Sequence, residues 1–263
     1  MELFRRNLGE LRKRYGRDGA AIPQRLLESL RADERTGARK LADELEQRRD
    51  DRARERRRVG RLWRLEKELA SQGHACIAGC DEVGMGPLAG PVIAAAVVLP
   101  MGLSLVGLDD SKRLTADQRE RLAVEIRAHA IAFALGRAEV DEIDRINIYR
   151  AGHLAIRRAL ESLGATPDAV VVDGRSVPGI SCHQVAIEKG DARVASIAAA
   201  SVIAKVHRDG LMRELDRVHP GYGFAQHMGY STKQHFAALT RLGPSPIHRR
   251  SFAPVREATC RTP

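Results

Sequence analysis

No stretch of this chain approaches the ~18 consecutive apolar residues that span a bilayer. The longest apolar run, Val92 to Leu99, reads as a buried strand. Arg5 and Arg6 stand near the start, but no apolar core or cleavage site follows them, so no signal peptide and a cytoplasmic location are expected. Cysteine is scarce, at Cys76, Cys80, Cys182 and Cys260. No second pair matches Cys76 and Cys80, which argues against a zinc site. On a strand those two would share one face and pack as small apolar groups. The one tryptophan, Trp63, sits on a basic helix and reads as an apolar contact to the main domain rather than a base-stacking platform.

What is present is length, core and positive charge. The 263 residues are 43% hydrophobic, enough to bury a full core. Net charge is +10 and the pI about 9.9, which favours a polyanionic partner. Ribosome-associated and membrane-surface proteins share that composition. The excess is uneven: residues 1–72 hold 21 Lys+Arg against 14 Asp+Glu, and residues 73–263 hold 23 against 20.

Residues 1–72 read as a basic helical extension. Leu26, Leu27 and Leu30 fall at helical spacing in Gln24–Arg31. A longer helix is expected from about Arg35 to Ser71, with Val59, Leu62, Leu65 and Leu69 as its apolar stripe and Gly73 closing it. Within it, Arg48–Arg58 carries seven arginines and three acids, either a solvated face or an arm that grips a nucleic-acid backbone. Residues 73–218 alternate strands (76–81, 92–99, 131–137, 169–173, 181–188) with helices (115–130, 148–164, 196–218). Thr115 and Gln118 form a capping box. Two neighbouring strands lead and strand–helix alternation follows, which predicts an α/β domain with a mixed sheet. Residues 219–263 read as a tail of turns around one helix, Thr232–Leu242.

Four acids carry the chemical signal. Asp81 and Glu82 are adjacent at the end of the first strand, Asp173 ends Val-Val-Val-Asp, and Asp191 follows another strand in Lys-Gly-Asp. Ionised carboxylates are costly in a core unless paired or bound to a cation. Any one of them alone would more often be a cap. Four brought together would bind Mg²⁺ or Mn²⁺ through oxygen. Two such ions ~3.5–4 Å apart activate a water and stabilise the leaving oxygen of a phosphodiester. The loop Gly84-Met85-Gly86-Pro87-Leu88-Ala89-Gly90-Pro91 follows directly, and its small residues let backbone amides approach a ribose-phosphate.

The run Ile77 to Val92 resembles the signature of ribonuclease HII. Further blocks agree in order: Asp110-Ser111-Lys112, Val172-Asp173-Gly174, Lys189-Gly190-Asp191, Ser196–Ser201 with Ala204-Lys205, and Arg208-Asp209. Then come Tyr222-Gly223-Phe224, His227-Met228-Gly229-Tyr230 and His248–Phe252. The resemblance covers roughly residues 75–255, and the extension is similar to that of some bacterial members. It implies a ribonuclease H-like mixed sheet flanked by helices. It implies an endonuclease that cuts the RNA strand of RNA–DNA hybrids and nicks at ribonucleotides embedded in duplex DNA, leaving 3′-hydroxyl and 5′-phosphate ends. Asp81, Glu82, Asp173 and Asp191 become its catalytic, metal-binding acids for two Mn²⁺ or Mg²⁺ ions. Gly84, Met85 and Gly86 become the reader of the 2′-hydroxyl, Tyr230 the ring beside the sugar, and Lys112 a phosphate contact. A monomer is expected.

Two positions depart from the family pattern. Met85 stands where the family has arginine, and Met228 where it has lysine, and each change removes a positive charge. His227 and His248 read as hydrogen-bonded structural residues, and Asp209 as a local ion-pair partner. Two rivals stay open on residues alone: another nuclease of the same fold, such as a junction resolvase, and a module that grips hybrids without cutting.

Overall fold

The computed structural model describes residues 7–16 and 20–259. Arg5, Arg6 and Cys260 lie outside them. The chain divides into two compact units, Met1–Arg58 and Val59–Pro263.

In the first unit, α1 (Leu8–Tyr15), α2 (Gln24–Arg31) and most of α3 (Thr36–Leu62) bury one leucine-rich core. Leu11, Leu26, Leu27, Leu30, Leu41 and Leu45 all meet there. The arginine-rich run on α3 is largely engaged within the unit. Arg48 donates to the Gly16 carbonyl (2.7 Å) and Arg52 to that of Ala20 (2.6 Å). Arg49 donates to Gln24, Arg54 pairs with Asp51, and Arg58 pairs with Glu55 (2.8 Å). Arg56 and Arg57 are exposed. Most of these guanidiniums therefore tie turns and acids together within the unit.

The expected 35–71 helix is broken. It stops at Leu62 and resumes as α4 (Arg64–Ser71), and Trp63 between them is buried in the core. There its indole N–H donates to the Leu103 carbonyl (3.0 Å). Packing thus places residues 59–72 with the second unit, not with the extension. Leu69 and Glu66 are buried there too, and Glu66 Oε1 accepts from Ser196 N (3.0 Å) at the start of α8 (Ala195–Val218).

The second unit is built on a five-stranded sheet, ordered β3 (Ala132–Ala138), β2 (Val92–Val98), β1 (Ile77–Val83), β4 (Ala169–Asp173), β5 (His183–Ile187). β1, β2 and β3 are antiparallel, while β1–β4 and β4–β5 are parallel. The mixed sheet is the expected one. β2 is apolar throughout because both its faces are covered. Ile93, Ala95 and Val97 meet α8 and α5 (Ala116–His129), and the alternate residues meet α7 (Ile148–Glu161). Cys80 and Cys76 lie in this second cluster as small apolar groups. Gly79 permits the close seat of α8: a β-carbon there would fall on the Ser196 carbonyl carbon, and 2.5 Å from the Ile197 nitrogen.

The Thr115–Gln118 capping box is present at α5. α6 (Val140–Ile146) is an unforeseen helix. Its cap is Glu139, a residue type outside the usual Ser/Thr/Asp/Asn set, with Glu142 closing the box. The tail carries α9 (Phe224–His227) and α11 (Ala253–Thr259) besides the expected α10 (Lys233–Leu242). Tyr222, Phe224 and Ala238 pack with Ala89 and Met212 into one cluster, so the tail is continuous with the sheet domain. No helix among the described residues is long and apolar enough to cross a membrane.

Candidate active site

Parallel pairing of β1 with β4 brings the first two acids together. The last registered pair is Cys80–Val172, and Asp81 and Asp173 stand one residue further on each strand. Side chains alternate along a strand, so both point to the α8 side. The chain then turns after β5 through Lys189, held at φ 55°, into a short 3-10 turn, Gly190–Ala192. The Gly190 amide donates to Asp173 Oδ1 (2.6 Å), which docks that turn on β4 and delivers Asp191. Asp81, Asp173 and Asp191 then each offer an oxygen within 4.8 Å of the others. Asp81 and Asp191 are buried.

Glu82 is not part of this tight group. It follows Asp81 on β1 and so leans to the opposite, α7 side, where a β-carbon on Gly152 would lie 3.8 Å from Glu82 Cγ. It still feels the cluster: burial and the Asp173 carboxylate push it up to about 7. Burial, then Glu82, Asp173 and Asp191, hold Asp81 well above the usual carboxylate range, against a hydrogen bond from Ser201. Burial, Asp173 and Asp110 raise Asp191 as well. The shared cause is negative charge crowded out of water. A cation seated among these oxygens would relieve it, and an all-oxygen donor set fits Mg²⁺ or Mn²⁺.

One cation of the chain's own already leans in. Lys112 Nζ lies 3.4 Å from Asp191 Oδ2. Burial alone would lower this ammonium's pKa, but Asp191, Asp110 and Asp81 outweigh it and hold it above the ordinary lysine value. Its loop is set by two bonds: Asp110 Oδ1 accepts from Lys112 N (2.8 Å), and Ser111 Oγ meets Ser201 Oγ (2.8 Å) on α8. Ser201 thus links the Lys112 loop to Asp81, a connection that motif reading did not assign.

The glycine loop runs from the end of β1. Met85 turns its side chain onto α7, its Sδ 3.1 Å from where a Gly152 β-carbon would be. Tyr230, 40% exposed, stands beside the loop, its Cε1 3.9 Å from where a Gly86 β-carbon would lie. Two arginines that the sequence reading named only as parts of matched blocks, Arg208 and Arg249, are fully buried beneath the same loop. Nothing in a chain with 44 basic residues singled them out, because burial is decided by the fold.

The remaining residues behave structurally. Asp209 pairs with Lys205 (2.7 Å) and Arg119 (3.7 Å). His227 and His248 are buried and hydrogen-bonded, His227 Nε2 to the Tyr222 carbonyl (2.8 Å) and His248 Nδ1 to Ser245 N (2.9 Å).

Comparison with known proteins gives the family. The family model for ribonuclease HII matches residues 78–255. A ribonuclease HII of Myxococcus xanthus (strain DK1622) is 54% identical over 258 residues, covering 98% of this chain and 88% of that protein. A ribonuclease HII of Geobacillus kaustophilus (strain HTA426) is 51% identical over 230 residues, covering 88% of each. Among solved structures, ribonuclease H2 from Pyrococcus horikoshii OT3 superposes with a TM-score of 0.61 at 27% identity, covering 71% of this chain and 98% of that one. A match of this reach, over a site of clustered carboxylates, places the chain in the ribonuclease HII family, as a metal-dependent endonuclease of the ribonuclease H type that acts on RNA–DNA hybrids.

Proposed function

We propose that this chain both cuts the RNA strand of hybrids and nicks duplex DNA at an embedded ribonucleotide, with Asp81, Asp173 and Asp191 as the shared cluster and Glu82, beside them and coupled to Asp173, completing the ligands for two Mn²⁺ or Mg²⁺ ions. The observation that carries the reading is the meeting of two parts at the end of β1: three carboxylates with oxygens within 4.8 Å, and a glycine loop flanked by Tyr230. Divalent ions bound there supply Lewis acidity and a more acidic water at neutral pH. The chain's own groups do the rest. Water adds to phosphorus as the bond to the 3′ oxygen breaks, and that oxygen takes up a proton, leaving a 3′-hydroxyl and a 5′-phosphate.

The Met85 and Gly86 amides read the 2′-hydroxyl, the one group that separates RNA from DNA at a given position. Tyr230 packs on the sugar beside the cut. Lys112, exposed and next to Asp191, meets the phosphate and draws negative charge toward the acids. A monomer suffices for this chemistry, because all these residues come from one chain.

The test is a duplex with one ribonucleotide compared with the all-DNA duplex of the same sequence, each with and without Mn²⁺. The expected result is one nick, in the first duplex only, and only with metal. Equal cutting of both duplexes would point to a structure-selective DNA nuclease, and binding without cutting to a non-catalytic module.

A further inference from the structure

A glycine-rich loop samples many backbone conformations, so amides that recognise a single hydroxyl must be held in place. Here the holding groups are two buried guanidiniums. Arg249 donates to the carbonyls of Gly84 (2.6 Å), Met85 (3.3 Å) and Gly90 (2.8 and 3.0 Å). Arg208 donates to those of Ala89 (3.1 Å), Pro91 (3.1 Å) and Met228 (3.0 Å). Neither shows a carboxylate partner among these bonds. Burial lowers both pKa values, that of Arg249 to about 9. Charged groups are rarely taken out of water merely to fill a core, where an apolar side chain costs less.

The direction of these bonds matters. In a trans peptide the C=O and the following N–H point opposite ways. With the Gly84 and Met85 carbonyls turned in to Arg249, the Met85 and Gly86 N–H groups are turned away from it. Among the described residues neither amide donates to another group. Arg208 extends the same grip to Met228, and Leu88 N donates to the Gly229 carbonyl (2.8 Å), so the turn bearing Tyr230 is tied to the loop as well. Gly84 leaves room for the arginine only because it has no side chain. Its φ is 95°, and a β-carbon there would strike Arg208 Nε.

We infer that Arg249 and Arg208 are positioning residues for ribonucleotide recognition: they grip the carbonyl side of the loop and so aim the Met85 and Gly86 amides, and the Tyr230 turn, at the ribose. The inference rests on the proposed role of those amides. The charge-conserving variants Arg249→Lys and Arg208→Lys keep a cation but lose the planar fork that serves several carbonyls at once. Each is compared with wild type in kcat and KM on the single-ribonucleotide duplex, in affinity for the all-DNA duplex, in Mn²⁺ affinity and in thermal unfolding.

The expected result for folded Arg249→Lys is a fall in kcat of about tenfold or more, as for a small misplacement of reacting groups. Its affinities for Mn²⁺ and for all-DNA duplex should stay within about twofold, since the Arg249 side chain bonds loop carbonyls and none of the clustered carboxylates. A kcat close to wild type in both variants, or a loss that merely follows metal or duplex affinity, would overturn the inference. Should the variants not fold, amide relaxation of wild type without nucleic acid decides. Met85 and Gly86 should be as rigid as β1, and order parameters below about 0.6 would show that nothing preorganises them. If wild type itself does not nick the single-ribonucleotide duplex, it is the proposed function that fails. If wild type nicks and the variants match it, only the clamp fails.

Discussion

The ring of Tyr230 and the backbone of Gly86 face each other across the mouth of the loop, Cε1 standing 3.9 Å from where a β-carbon on Gly86 would lie. That is ordinary contact distance, so Gly86→Ala should fold with an unchanged unfolding midpoint. The added methyl would narrow the mouth where loop and ring meet, the face that a ribose would approach. Nicking of the single-ribonucleotide duplex should fall by about tenfold or more, as expected when reacting groups are displaced by a small distance. Wild-type nicking in this variant would mean that the sugar does not rest against the Gly86–Tyr230 contact.

Chelation should abolish cleavage, and Mg²⁺ or Mn²⁺ should restore it. Zinc should serve poorly, because the clustered ligands are carboxylates and include neither cysteine nor histidine. A chelator series on the hybrid substrate checks this. Full activity in excess chelator would remove the metal from the mechanism.

Asp173 lies at the centre of the charge coupling, since its carboxylate raises Asp81, Glu82 and Asp191 alike. Asp173→Asn should lower the cleavage rate by about a hundredfold or more, as the cation site loses a ligand charge. Hybrid binding should persist. In the metal-free protein the Glu82 carboxyl, at about 7 in wild type, should titrate at lower pH, which carboxyl NMR would follow. An unmoved Glu82 or a near-normal rate would each contradict the assigned geometry.

Met85→Arg places a charge where the side chain now lies over Gly152 of α7. The backbone amides stay where Arg249 holds them. Binding to all duplexes should strengthen by a similar factor, with the salt slope steeper by about 1 for one added phosphate contact. Discrimination between one ribonucleotide and none should change little. The measurement is affinity for both duplexes over a salt series. A gain confined to the ribonucleotide substrate would show that the side chain at 85 takes part in reading the 2′-hydroxyl.

His248 links the tail to the loop. Its Nδ1 accepts from Ser245 N, its Nε2 meets His235 Nε2 (2.9 Å), and His235 Nδ1 meets the Tyr230 carbonyl (2.9 Å). Burial and neighbouring His235 push His248 down to about 3. Between that value and the unfolded value of about 6.5, the unfolded chain takes up a proton that the folded chain refuses. The stability from neutral His248 is thus complete above about pH 6.5 and is lost as pH falls toward about 3, by at most about 1.4 kcal/mol per pH unit. Urea unfolding at pH 7 and pH 5 should show a larger acid loss in wild type than in His248→Gln. Equal losses would mean that His248 titrates as freely folded as unfolded.

Much of this was determined by the sequence alone. Apolar period and turn residues marked the five strands and the main helices, and the Thr115–Gln118 box marked one helix start, because these signals are local. The motif blocks named the acids, the glycine loop and Tyr230, since chemistry of this kind is written in residue identity. What only the tertiary structure decided is which of these residues meet, and in which direction. Parallel register sets Asp81 beside Asp173, while side-chain alternation turns Glu82 to the other face. The long helix is interrupted at Trp63, whose indole is buried, and residues 59–72 pack with the sheet domain. Arg208 and Arg249 are two among 44 basic residues until the fold buries them under carbonyls drawn from segments far apart in the chain. No local pattern encodes that, because burial and the partners of a guanidinium are properties of how distant segments pack.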